Sequence, residues 1–237
     1  MTTINHNRIL ILIAFAWLMP AAACSVHKHV PSRQAAFSVL GLGDSITEGG
    51  ADFSSYLFPL DSLLKKAGYQ PRFIGPRFSV QDNDTLHHAG FSGKTAEYLA
   101  KTIDSLYTAF PADIVLLHAG HNHFAEEAPI PGIIEAQKKI ISTIRSKNSG
   151  AVILVAGVIT SGKLPKYAYV PDLDLAISSM VDSIHQSSII FVNQQNGWNW
   201  QQHSIQDKVH PNKTGARIIA ANWLKAIPGA LENKAKQ

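Results

Sequence analysis

The sequence predicts an α/β fold whose mostly parallel sheet is covered by helices on both faces. Apolar runs of strand length alternate with stretches of helical periodicity along almost the whole chain. The clearest runs, Asp113-Ile114-Val115-Leu116-Leu117-His118 and Ala151-Val152-Ile153-Leu154-Val155-Ala156, are apolar without a polar face, as strands covered on both sides are. No linker or internal repeat divides the chain, and its 237 residues, 46% of them hydrophobic, suffice for one core.

The elements follow in order. Phe37-Ser38-Val39-Leu40 is the first strand and runs into Gly41-Leu42-Gly43-Asp44-Ser45-Ile46-Thr47. Residues 53–66 carry Tyr56, Leu57, Leu60, Leu63 and Leu64 at helical spacing, with Gly68 as the stop. Residues 70–75 form a short strand around Phe73-Ile74, and the polar, turn-rich stretch 76–85 reads as a loop over one edge of the sheet. A helix over 94–110 has the stripe Leu99, Ile103, Leu106, Tyr107 and is broken by Pro111. Strands at 113–120, 151–156 and 189–192 are separated by helices at 133–145 and 173–184. The last helix spans about 213–226, capped by Asn212, with Ile218, Ile219, Trp223 and Leu224 facing inward.

Ahead of this domain, expected at 37–230, residues 1–23 hold one charged side chain, Arg8, then a wholly apolar stretch ending in Pro20-Ala21-Ala22-Ala23. That composition is an export signal, too short for a comfortable membrane span. Cys24, the single cysteine, follows at once, so an internal disulfide is excluded. Small residues followed by cysteine resemble a bacterial lipoprotein signal, with Cys24 lipidated and 24–36 a tether, although Ala21 stands where that signal usually has leucine. The plainer alternative is ordinary cleavage that leaves a free thiol. Either way the protein is expected to be exported, at the cell envelope, in the periplasm or outside. The net charge of +4 comes from scattered lysines and arginines, and no patch for nucleic acid is expected.

A glycine-flanked Asp-Ser at the end of a strand holds a hydroxyl at the carboxyl edge of the sheet, where open α/β folds bind ligands. Ser45 is therefore the candidate nucleophile; a serine hydroxyl needs a general base and donors for the oxyanion. Asp207-Lys208-Val209-His210, just before the last helix, offers a histidine with a carboxylate three residues earlier that can bond back to one ring nitrogen.

Four blocks in this order, Gly43-Asp44-Ser45-Ile46-Thr47, Gly90 within Ala89-Gly90-Phe91-Ser92-Gly93, Asn122 within Gly120-His121-Asn122-His123, and Asp207 with His210, resemble the SGNH hydrolases, the group that includes GDSL lipases and esterases. The resemblance spans about residues 38–226. It implies a flavodoxin-like, three-layer α/β/α sandwich around about five parallel strands. It makes Ser45 the nucleophile, His210 the base and then acid, and Asp207 its orienting partner, with the N–H groups of Ser45 and Gly90 and the amide of Asn122 as the oxyanion hole. The family commonly has aspartate after that asparagine; here His123 stands in its place.

The implied activity is hydrolysis of short-chain esters, acetyl on carbohydrate, through an acyl-enzyme and with neither metal nor organic cofactor. Competing readings are a longer-chain lipase, lysophospholipase or thioesterase, an O-acyltransferase, and a non-catalytic envelope lipoprotein that binds carbohydrate. The partner is a small-molecule or glycan ester, with membrane contact only through a lipid at Cys24. His118, His121 and His123 lack a carboxylate or cysteine at a familiar metal spacing, and His121 and His123 are expected to line the substrate cleft. Tyr167, Tyr169, Trp198 and Trp200 would serve equally to stack on sugar rings or to cover the core.

Overall fold

The computed structural model describes residues 36–235. The expected export signal, Cys24 and all of the tether but residue 36 lie outside these. The described elements fall within one compact unit, residues 33–237.

The strands are β1 (Ala36–Gly43), β2 (Gln70–Phe73), β3 (Arg77–Gln81), β4 (Asp84–Gly90), β5 (Ile114–His118), β6 (Val152–Ala156) and β7 (Ile189–Val192). The helices are α1 (Ser45–Glu48), α2 (Leu57–Lys66), α3 (Ala96–Ala109), α4 (Ile130–Lys147), α5 (Val170–Ile184), α6 (Trp200–His203) and α7 (Lys213–Ala235). The sheet runs β3-β4-β1-β5-β6-β7, with β2 also beside β1. All pairings are parallel except β3 with β4.

Because successive side chains in a strand point to opposite faces, each central strand supplies both cores. Leu40, Leu42, Val115, Leu117, Ile153 and Val155 pack with residues of α3, α4 and α5. Val39, Ile114, Leu116, Val152 and Leu154 pack with residues of α2 and α7 on the other side. This is the expected α/β/α sandwich. Within α7, Ile219 and Trp223 are fully buried while Ile218 and Leu224 are half-buried.

Two expectations need correction. The stretch 76–85 is largely a β-hairpin: Asp82 and Asn83 take φ of +50° and +70°, the left-handed pair that a two-residue turn between twisted strands requires. The second helix begins at Leu57, not at residue 53, because Ser55 ends a turn there. Its hydroxyl accepts from the Leu57 N–H at 3.2 Å and donates to the Thr47 carbonyl at 2.7 Å. Phe53 is thereby left in a loop at the sheet's carboxyl edge.

The aromatic side chains resolve toward the core. Tyr167, Tyr169 and Trp198 are buried. The Tyr169 hydroxyl donates to the Gly120 carbonyl and the Trp198 indole to the Thr160 carbonyl. Trp200 packs, half-buried, on the α2/α7 side.

Candidate active site

Ser45 is the first residue of α1, directly after β1. Asp44 caps this short helix, its Oδ1 accepting the Ile46 N–H at 2.9 Å. At the first helical position the Ser45 N–H has no intrahelical partner, so it is free to face a ligand. The serine Oγ lies 2.8 Å from His210 Nε2, across 165 residues of sequence.

His210 is held from three directions. Asp207 Oδ2 accepts from its Nδ1 at 2.5 Å, while Asp207 Oδ1 accepts the N–H groups of Val209 and His210 at 2.9 and 3.0 Å. The turn between them closes with Lys208 at φ +62°. The Phe53 ring stacks on the imidazole, centroids 4.1 Å apart. With Nδ1 protonated toward Asp207, the lone pair of Nε2 faces the Ser45 hydroxyl, the arrangement that lets an imidazole take a serine proton. Burial would raise the Asp207 carboxyl, but the His210 ring and the two backbone donors outweigh it and hold the group below its ordinary value.

The oxyanion side departs from expectation at Gly90. Its N–H donates inward to His88 Nδ1 at 3.0 Å, and His88 Nε2 in turn contacts Ser79 Oγ at 2.9 Å. Ser79 Oγ also donates to the Glu48 carbonyl at 2.7 Å. Burial pushes the His88 imidazole down to about 4, which suits a neutral ring that accepts at one nitrogen and donates at the other. The Gly90 N–H is therefore not available to a substrate. Glycine is needed there for packing, since a Cβ would fall 2.5 Å from the Glu48 nitrogen. Glu48 itself binds Arg77 and accepts the Ser92 N–H, so it braces the β4–α3 turn from beneath.

That turn presents a second glycine, Gly93, beside the Asn122 amide. Lys94 N–H closes on the Phe91 carbonyl at 3.1 Å, and Gly93 at its tip has φ +73°. The Asn122 side-chain amide donates one N–H to the Lys94 carbonyl at 2.9 Å, leaving its second for a ligand. A Ser-Gly pair before a helix is the stronger turn signal of the two glycines in this block and could have pointed to Gly93.

His121 and His123 do not form an open cleft wall. His121 is 2% exposed, with Nε2 at 3.0 Å from the Ile159 carbonyl and Nδ1 at 3.8 Å from Asp44 Oδ2. That gap is too long for a hydrogen bond. Burial pushes Asp44 up to about 7 and His121 down to about 3, so the two are not an ion pair. His118 is fully buried. His123 sits between carboxylates, Nε2 at 3.1 Å from Glu97 Oε2 and Nδ1 at 3.0 Å from Glu127 Oε2. Among the described residues no group of three His, Cys, Asp or Glu is arranged to hold a metal ion.

Comparisons with known proteins give the family of the chain and structures that share its fold. The model of the GDSL-like Lipase/Acylhydrolase family matches residues 42–218. A multidomain esterase of Ruminococcus flavefaciens is 24% identical over 91% of this chain and 31% of its own length, so the chain spans about a third of that relative. Among solved structures, a carbohydrate esterase family 3 protein from Talaromyces cellulolyticus superposes with a TM-score of 0.72 at 22% identity, covering 82% of this chain and 98% of that one. A family 3 carbohydrate esterase of Clostridium thermocellum gives 0.68 at 23% identity, over 81% of this chain and 94% of that one.

Proposed function

This chain belongs to the GDSL-like lipase/acylhydrolase family, and from that premise we propose that it is an exported serine esterase that removes short acyl groups, acetyl foremost, from carbohydrate. The observation that carries the reading is the 2.8 Å approach of Ser45 Oγ to His210 Nε2, with Asp207 on the far side of the ring. The carbohydrate esterases among the structural neighbours support the choice of a glycan ester.

In this mechanism Ser45 Oγ attacks the ester carbonyl as its proton passes to His210 Nε2. The imidazolium that forms is stabilised by Asp207. The oxyanion is received by the Ser45 N–H, the second amide N–H of Asn122, and a backbone donor that we assign to Gly93 instead of Gly90. The reason is that Gly90 is already bonded to His88, whereas Gly93 heads the turn to which Asn122 is tied. Each such donor is worth ~3 kcal/mol in comparable sites. His210 then hands its proton to the departing sugar alkoxide, and a water activated by the same ring releases the acid from Ser45. Export and a lipid at Cys24 complete the proposal, which places the enzyme at the bacterial envelope. Intact-mass analysis of membrane-extracted protein tests the lipid: the mass of an unmodified Cys24 rules it out.

The enzymatic test pairs wild type with Ser45→Ala on acetylated oligosaccharides and on simple esters of two-carbon and eight-carbon acids. Expected are hydrolysis by the wild type alone, preference for the two-carbon ester, and labelling of Ser45 by an organophosphate. A marked preference for the longer acid overturns the acetyl assignment, and equal rates for wild type and Ser45→Ala overturn the nucleophile.

A further inference from the structure

Phe53 belongs to two environments. Its ring is stacked on His210, and it also lines a cavity of about 590 Å³ walled by the loop after α1, by Ser79–Gln81 of β3 and by the start of α7. A second cavity of about 630 Å³ shares Ser54, Phe58, Gln81 and Lys213 with the first and continues between the hairpin tip, α2 and α7. The two make one groove whose approach to the active site is Phe53, the side chain stacked on His210; the catalytic residues themselves do not line it. Each half falls within the range of ~300–1,000 Å³ that encloses ligands far larger than an acetyl group.

Which half of the ester this groove takes follows from the proton's path. The ring that protonates the leaving oxygen must lie against the alcohol, and here that ring is His210. Gly93 and Asn122 serve the carbonyl oxygen instead. A groove that begins at the aromatic side chain stacked on His210 thus opens on the leaving-group side.

Its lining selects the chemistry. Asp52, Asp82 and Asp84 face it from the loop and the hairpin, and Lys66, Lys213 and Arg217 from the helices. An alkyl chain laid along it would strip water from charges and return no hydrogen bonds. With Glu48, which also lines it, the acidic side chains slightly outnumber the basic ones, so an anionic chain has no advantage. Phe53 and Phe58, with the hydroxyls and amides of Ser54, Ser79, Gln81 and Asn212, present what an uncharged sugar chain needs: flat apolar surface for its C–H faces and partners for its hydroxyl rim.

We infer that this groove binds the alcohol half of the ester as an uncharged oligosaccharide extending several sugar residues beyond the acylated one, so that the substrate is a glycan chain and neither a monosaccharide ester nor a lipid. This inference rests on the esterase reading above.

The test compares kcat/KM for acetylated xylo-, manno- and gluco-oligosaccharides of one to six residues with kcat/KM for 4-nitrophenyl acetate, in wild type, Val80→Arg, which puts a bulky cation into the groove, and the double variant Gln81→Ala/Lys213→Ala. For at least one sugar series the wild-type ratio is expected to rise about tenfold or more with length, the equivalent of ~1.4 kcal/mol of added binding. In both variants that rise is lost, and an unsubstituted hexasaccharide inhibits the wild type more strongly than the disaccharide. A flat length profile across all three series, or the same rise in both variants, overturns the groove. With 4-nitrophenyl acetate still cleaved, that result leaves the esterase standing; no cleavage of it and no labelling of Ser45 removes the esterase reading itself.

Discussion

The Phe53 ring lies over the His210 imidazole with centroids 4.1 Å apart and planes 24° from parallel. The contact exists because α2 starts late: Ser55 turns the chain before Leu57, and the Ser54 N–H bonds the Pro211 carbonyl, next to the histidine. The loop after the nucleophile and the loop bearing the base are therefore joined by this stack and by the Ser54–Pro211 hydrogen bond, besides the contact of Ser45 with His210.

Replacing Phe53 by alanine is expected to lower kcat for a two-carbon ester by about three- to tenfold, the equivalent of the ~0.5–1.5 kcal/mol carried by a stacked ring pair. Steady-state kinetics of Phe53→Ala checks it, and an unchanged kcat shows that Asp207 alone orients the imidazole.

Asp207→Asn keeps the shape of the turn but favours the wrong tautomer of His210. The corresponding substitution in a serine protease costs on the order of 10⁴-fold in kcat, and a loss of that size is expected here. Because the Asp207 carboxyl is held below its ordinary value of 3.8, the stability it contributes is present above that value and disappears as pH falls through the lowered one. Thermal melts below pH 4 should thus be steeper in pH for wild type than for Asp207→Asn.

Asp44 has the opposite sign. Burial raises it from 3.8 to about 7 in the folded protein, so the stability tied to its bound proton is complete below pH 3.8 and is lost as pH rises through about 7. Asparagine retains an oxygen for the Ile46 N–H and removes the buried charge. Asp44→Asn is expected to melt several degrees above wild type at pH 8 and to lose that advantage at pH 4. Melting curves at the two pH values decide; equal melting points at pH 8 mean that Asp44 is solvated there.

His123 fastens the Asn122 loop to the start of α3 through Glu97, alongside the bond from Asn122 to Lys94, and to Glu127 on the other side. Asn122 has a φ of +71°, a left-handed conformation that asparagine tolerates better than most residues other than glycine, and these ties hold its loop in place. His123→Ala is expected to reduce kcat by roughly tenfold, within the ~100-fold that a 1 Å misplacement of a catalytic group costs, with His123→Gln recovering part of it. The kinetic comparison of the two variants tests this, and a loss confined to KM contradicts it.

Much of this was legible because the signals were local and strong. β5 and β6 declared themselves as unbroken apolar runs, and α7 by the cap that Asn212 forms on Thr214 and Gly215. The meeting of Ser45, Asp207 and His210 could be anticipated because a backbone turn fixes each of them. The hairpin was hidden because an edge strand such as Arg77-Phe78-Ser79-Val80-Gln81 buries little, leaving Phe78 and Val80 exposed. Ser92-Gly93 carries the stronger turn signal, but that Gly90 is withdrawn depends on the direction of its N–H, set by His88, which no local pattern announces. The inward turn of His121 beneath Asp44 likewise depends on tertiary contacts that no spacing announces.

β1 changes partner along its length: β5 holds one side, while the other is held by β2 at Ala36–Val39 and by β4 at Leu42 and Gly43. The excursion between those two partners, from Phe73 to Ala89, leaves and rejoins the sheet through ordinary strand pairings, yet Arg77, Ser79 and His88 fasten it to Glu48 and Gly90 beside the nucleophile. Descendants of this scaffold can vary its tip at Asp82 and Asn83 to admit a new substrate so long as those three anchors stay.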